Sequence, residues 1–184
     1  MKYEKIIQQR YCCVPACLQM ILKRNNIEYK SQEEIGYDLG LIVPEEDRHL
    51  FNKVRTGEKP NAGYGTQIKK EEYSLNKFFE KNNIPLVYEY YYIEDYNEAN
   101  QFLINNKEND IIVCVHCATL YDAPHADWGH VIVVDDYENE VVTLLEVSTK
   151  RDYEKIPLEK LLKAMKKHGK GNSAGFWLFK KINN

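Results

Sequence analysis

A cysteine placed directly before an apolar helix constrains this chain more than any other feature. The stretch Gln8-Gln9-Arg10-Tyr11-Cys12-Cys13-Val14-Pro15-Ala16-Cys17-Leu18-Gln19-Met20-Ile21-Leu22 sets two glutamines and then Cys13 ahead of a helix that the spacing predicts from Val14 to about Asn26. Ala16, Cys17, Met20 and Ile21 repeat at helical spacing and give it a core face. Pro15 suits the first turn, where the N–H that it lacks has no partner anyway. A thiol is a useful nucleophile only as a thiolate, and the positive end of a helix favours that anion. Cys13 is therefore the candidate nucleophile. The competing reading makes Cys12, Cys13 and Cys17 small core hydrophobes, as buried cysteines usually are.

The 184 residues predict one domain spanning positions 1–184. With 25 basic and 28 acidic residues dispersed along the chain, no surface of one sign points to nucleic acid or a membrane. The basic run from Lys163 to Lys170 reads as a solvated helix face. No signal peptide or spanning segment is expected, which points to the cytoplasm. Five cysteines, two of them adjacent, make a poor disulfide framework and suit a reducing compartment. No pro-segment precedes Cys13, so inhibition by an N-terminal propeptide is not expected.

Along the chain, Ser31 and Glu34 form a predicted capping box for a second helix ending near Gly40. From Pro44 to Gln67 periodicity is lost, and 61–66 is the most loop-like part. Helices are expected over Glu71–Asn83, Asp95–Lys107 and Pro157–His168. Strands are expected over 86–93, 111–117, 129–135, 141–147 and 174–181. Helices crowd the N-terminal half and strands the C-terminal half, so the fold class is α+β, with N-terminal helices packed on a C-terminal antiparallel sheet.

A cysteine nucleophile needs a base on a rigid element. Of five histidines, His49 and His168 read as surface residues, His116 lies within a strand and His125 in a turn. His130 opens the β-branched run Val131-Ile132-Val133-Val134, where it can face a cleft. If the following hairpin pivots near Glu138, Glu146 falls opposite His130 on the same face and can hold its tautomer. Asp135 and Asp136 would then lie in the turn, far from His130, and Asp127 is a weaker rival. The residues alone thus suggest Cys13, His130 and Glu146 as nucleophile, base and orienter.

These features resemble the papain-like cysteine peptidases, most of all the domains that remove double-glycine leader peptides during bacteriocin export. That family has a glutamine, then Asp-Cys-Gly-Pro-Ala-Cys-Leu-x-Met, and this chain has Cys13-Val14-Pro15-Ala16-Cys17-Leu18-Gln19-Met20. The family's histidine also opens a strand, and its aspartate follows sixteen positions later, where this chain has Glu146. The order of elements agrees over nearly the whole length. Four positions differ. Cys12 replaces an acidic residue, Val14 a glycine and Glu146 an aspartate, and the family's glutamine spacing falls on Ile7. Gln8 is then the nearest match, with Gln9 the runner-up. No transporter segment follows, so the expectation is a free-standing domain whose substrate is not inherited from those relatives.

The resemblance implies a papain-like fold and acyl transfer to Cys13, with His130 moving the proton and Glu146 orienting it. Gln8 and the Cys13 N–H would stabilise the oxyanion. The implied substrate is a peptide or protein cut at a peptide, isopeptide or amide bond. Transpeptidation and deamidation use the same centre, and no metal or organic cofactor is needed. Two other readings compete. One is a papain-like scaffold that binds peptides without catalysis. The other is a zinc module using ligands such as Cys12, Cys114, His116, Cys117 and His125, although adjacent strand residues point to opposite faces.

Overall fold

The computed structural model describes residues 2–60 and 63–182. Asn61 and Ala62, in the stretch expected to be most loop-like, lie outside the described residues. The helix after the double cysteine is α1 (Cys13–Arg24), and all its residues from Val14 to Leu22 are buried. Gln19 is the one polar residue in that span, and Val14, Cys17, Leu18 and Ile21 share one core with residues of the central sheet. Lys23 and Arg24 occupy its last turn, where cations complement the helix dipole. Its first turn carries no acidic residue that would oppose a thiolate.

The helix α2 (Gln32–Asp38) starts with the capping box read from the sequence. The Glu34 N–H donates to the Ser31 hydroxyl at 3.2 Å, and the Ser31 N–H donates to Glu34 Oε2 at 3.0 Å. Just before the aperiodic region lies β1 (Ile42–Val43), which pairs in parallel with β2 (Arg55–Thr56) inside it, beyond a 3-10 turn over Glu45–Leu50. Then come α3 (Leu75–Lys81), β3 (Leu86–Tyr91), α4 (Tyr96–Asn105), β4 (Asp110–His116) and the short α5 (Cys117–Tyr121). The chain ends with β5 (Gly129–Glu138), β6 (Val141–Leu145), β7 (Tyr153–Pro157), α6 (Leu158–His168) and β8 (Gly175–Lys181).

Six strands form one antiparallel sheet in the order β3-β8-β4-β5-β6-β7. Alternation divides its side chains between two cores. Ile112, Cys114, Val131, Val133, Trp177 and Phe179 meet α1 and α3, while Ile111, Val113, Val115, Ile132, Phe176 and Leu178 meet α4 and α6. The fold is thus α+β with helices on both faces of the sheet. Four of these strands and helices, β1, β2, β7 and α5, were not anticipated.

The β5–β6 hairpin corrects the arithmetic that paired His130 with Glu146. Its turn is Asn139-Glu140, both with positive φ, so β5 runs three residues further than expected. Such a two-residue turn suits the right-handed strand twist. Asp135 and Asp136 consequently lie in the strand, not the turn. The register shifts between Val134 and Asp136, leaving Asp135 as the extra residue of a β-bulge. Asp135 is buried and accepts the Lys2 N–H at 2.6 Å and the Tyr3 N–H at 3.3 Å. Beyond the bulge Val133 pairs with Leu145, so Glu146 comes level with Ile132 and diagonal to His130. A one-residue slip moves side chains to the other face. Without the bulge, Glu146 would lie level with Val133 and share the α1 face, away from His130.

Candidate active site

Cys13 occupies the first helical position of α1, with Cys12 as N-cap. The cap makes no side-chain hydrogen bond, so the opening N–H groups are not saturated by a capping side chain. Cys13 is half-buried, whereas Cys12, Cys17, Cys114 and Cys117 are buried. Cys12 is wholly enclosed and packs with Leu41 and Val43. Burial pushes its thiol up to about 12 and that of Cys117 up to about 11, and it also raises those of Cys17 and Cys114. Val14, the next residue, is buried in the core that α1 shares with the sheet.

The turn before Cys13 is closed by the Cys12 N–H donating to the Gln9 carbonyl at 2.9 Å. Its third residue, Tyr11, has φ of 65°, a left-handed conformation that glycine takes more readily. Asp47 fixes this strained residue. Its buried carboxylate accepts the Tyr11 hydroxyl at 2.5 Å and Arg10 Nη1 at 2.7 Å. The turn brings the chain back on itself, so Gln8 and Cys13 flank its closing residues. Gln8 is half-buried and Gln9 exposed. Among the described residues, the Gln8 amide oxygen is the one buried side-chain polar atom without a partner. Such orphans are costly and call for an explanation. The Gln8 N–H donates to the Val147 carbonyl at 2.8 Å, next to Glu146.

His130 is the second residue of β5 and is buried. Its Nε2 donates to Glu146 Oε2 at 3.1 Å, and the Cys13 thiol is close enough to act on its titration. Burial alone would push the His130 pKa down. The neighbouring Cys13 and Glu146 overcome it and raise the pKa to about 10. Burial likewise opposes ionisation of Glu146, but His130, Tyr121 and the Ser148 N–H outweigh it and hold the carboxyl below its ordinary value.

Tyr121, at the end of α5, was not anticipated. Its hydroxyl donates to Glu146 Oε1 at 2.5 Å, while the Ser148 N–H donates to Oε2 at 3.3 Å. Both carboxylate oxygens are therefore held. The guanidinium of Arg151 covers the Tyr121 ring, 4.1 Å from its centroid. Periodicity could not find Tyr121, because a five-residue helix gives no repeating pattern.

Of the other histidines, His49 is exposed. His116 bonds to Thr119 Oγ1 and Asp127 Oδ1, both at 2.8 Å, so Asp127 serves His116 and not His130. His168, expected at the surface, is half-buried and lies over Gly129, where an added Cβ would overlap its ring. Among the described residues, no three His, Cys, Asp or Glu side chains converge to hold a metal ion. No described helix is long and apolar enough to cross a membrane.

The chain has the fold of a solved double-glycine motif protease from an AMS/PCAT transporter, determined in complex with the leader peptide. The match covers 98% of this chain and 92% of that one, with a TM-score of 0.54 and 17% sequence identity. At that identity it is the fold that is shared. No protein-family model matches the chain. No curated protein sequence matches it significantly.

Proposed function

We propose that this chain is a cysteine peptidase or a related thiol acyl-transfer enzyme that uses Cys13, His130 and Glu146. The observation that carries this reading is the buried His130–Glu146 hydrogen bond beside the thiol of Cys13, which opens a helix. His130 takes the thiol proton, and the thiolate attacks a substrate carbonyl. Gln8 and the Cys13 N–H donate to the oxyanion, each such donor typically contributing about 3 kcal/mol. Collapse breaks the C–N bond, and His130 returns its proton to the leaving amine. Water, deprotonated by His130, then hydrolyses the thioester. Glu146 supports the imidazolium throughout and holds its tautomer.

This chemistry needs no metal or organic cofactor. The protease of shared fold was solved with a leader peptide, which supports a peptide as the substrate class. Burial of Cys12, against the half-buried position of Cys13, supports the choice of sulfur. The test is covalent trapping by a broad epoxide inhibitor of thiol peptidases, located by mass spectrometry. Cys13→Ala is expected to abolish trapping and Cys12→Ala to retain most of it. Trapping that survives Cys13→Ala and disappears in Cys12→Ala assigns the wrong sulfur.

A further inference from the structure

Gln32 lies outside the proposed triad, yet its side chain grips the backbone on both sides of Gln8. It is the first residue of α2 and is buried, its place set by the Ser31 capping box just before it. Its Oε1 accepts the Gln9 N–H at 2.7 Å, and its Nε2 donates to the Ile7 carbonyl at 2.8 Å. Those two groups belong to the peptide planes before and after the Gln8 Cα. Holding both planes fixes the φ and ψ of Gln8 and so the direction of its side chain. The plane before Gln8 is also held from its other edge, by the Gln8 N–H on the Val147 carbonyl at 2.8 Å. One peptide thus links α2 to the segment that carries Glu146.

We infer that Gln32 is a positioning residue that sets the Gln8 amide as the oxyanion donor; this rests on the acyl-transfer reading above. The Gln8 amide oxygen is buried and unpartnered. Rotation about the last side-chain torsion, which is broad and roughly two-fold, exchanges that oxygen for an NH2 group. The exchange replaces an unpaired acceptor with a donor, for which the forming oxyanion is the proposed partner. Gln32 acts on this step through the Gln8 backbone and does not touch the substrate.

Two reactions of Cys13 separate this role from a general effect on folding. With p-nitrophenyl acetate, the thiolate adds to the ester carbonyl, and collapse of the oxyanion breaks the C–O bond, leaving an acetyl thioester and p-nitrophenolate. With iodoacetamide, the thiolate displaces iodide and no oxyanion forms. Gln32→Met keeps the side-chain length and removes both hydrogen bonds. It is expected to slow acetylation of Cys13 by about 10- to 100-fold, the scale of a donor misplaced by about 1 Å, while alkylation stays within about two-fold. Gln8→Ala combined with Gln32→Met is expected to be no slower than Gln8→Ala alone. Equal acetylation by wild type and Gln32→Met, or an equal fall in both reactions, overturns the inference. If Gln32→Met does not fold, Gln32→Glu keeps the acceptor for Gln9 and loses the donor to Ile7, and an unchanged ratio of the two rates overturns the inference equally. A wild-type Cys13 that is alkylated but never acetylated instead overturns the acyl-transfer reading itself.

Discussion

His130 Nε2 and Glu146 Oε2 lie 3.1 Å apart although the two residues are not level in the β5–β6 ladder. The extra methylene of glutamate, compared with aspartate, lets the carboxylate span this diagonal. Diagonal neighbours in a sheet are more widely spaced than opposed ones, yet within reach of long side chains. The bulge at Asp135 puts both residues on one face, and the Lys2 and Tyr3 N–H groups fix the bulge.

Glu146→Gln keeps a hydrogen-bonding group and removes the charge. Turnover of a cleavable peptide is expected to fall by up to about four decades. Removing that charge lowers the His130 pKa, so the alkaline limb of the rate profile moves to lower pH. Stability follows the same signs. The His130 contribution is complete below its ordinary value of 6.5 and is lost as pH rises through about 10. The Glu146 contribution is complete above 4.5 and is lost as pH falls through its lowered pKa. The thermal stability of wild type should fall on both sides of that window, and the Glu146→Gln profile should be flatter. Glu146→Asp, too short for the diagonal, is expected to retain part of the activity. Wild-type turnover in Glu146→Gln makes Glu146 a bystander.

Tyr121→Phe keeps the ring beneath Arg151 and removes the donor to Glu146 Oε1. A hydrogen bond to a charged group is worth about 1.5–3 kcal/mol, so kcat is expected to fall about 10- to 100-fold. If Tyr121 acts through Glu146, it costs no further rate in a Glu146→Gln background. A full additional loss in the double variant shows that Tyr121 acts by another route.

Gly129→Ala tests the packing behind His130. The new methyl would overlap the His168 ring, and overpacking of this kind costs about 1–3 kcal/mol. Thermal unfolding should show the loss, and His168→Ala should restore most of it. A Gly129→Ala variant as stable as wild type means that the imidazole moves aside freely.

The helix at Cys13, the Ser31 capping box and the strand opened by His130 were legible because each is local: a cap, a helical repeat, a β-branched run. Glu146 was found on the right face by a hairpin argument whose pivot was wrong. The extended β5 moved the register by three residues and the bulge at Asp135 took back one, an even net shift that keeps the face but not the level. The bulge leaves no mark in sequence, because its cause is the distant backbone of Lys2 and Tyr3. Tyr121, Gln32 and Asp47 were missed for the same reason. Each acts on a partner far away in the chain, and none belongs to a periodic pattern that would single it out.

The most direct measurement of the central claim is the rate of Cys13 alkylation by iodoacetamide at pH 5.5, resolved by peptide mass, in wild type and in His130→Asn. A thiolate held by a protonated imidazole stays reactive where an ordinary thiol, with pKa near 8.5, is almost wholly protonated. The account predicts rapid alkylation of wild-type Cys13 and a fall of about 100-fold or more in His130→Asn, with the four buried cysteines slow in both proteins. Equal Cys13 rates in the two proteins would contradict it, because the preference for Cys13 would then reflect exposure alone.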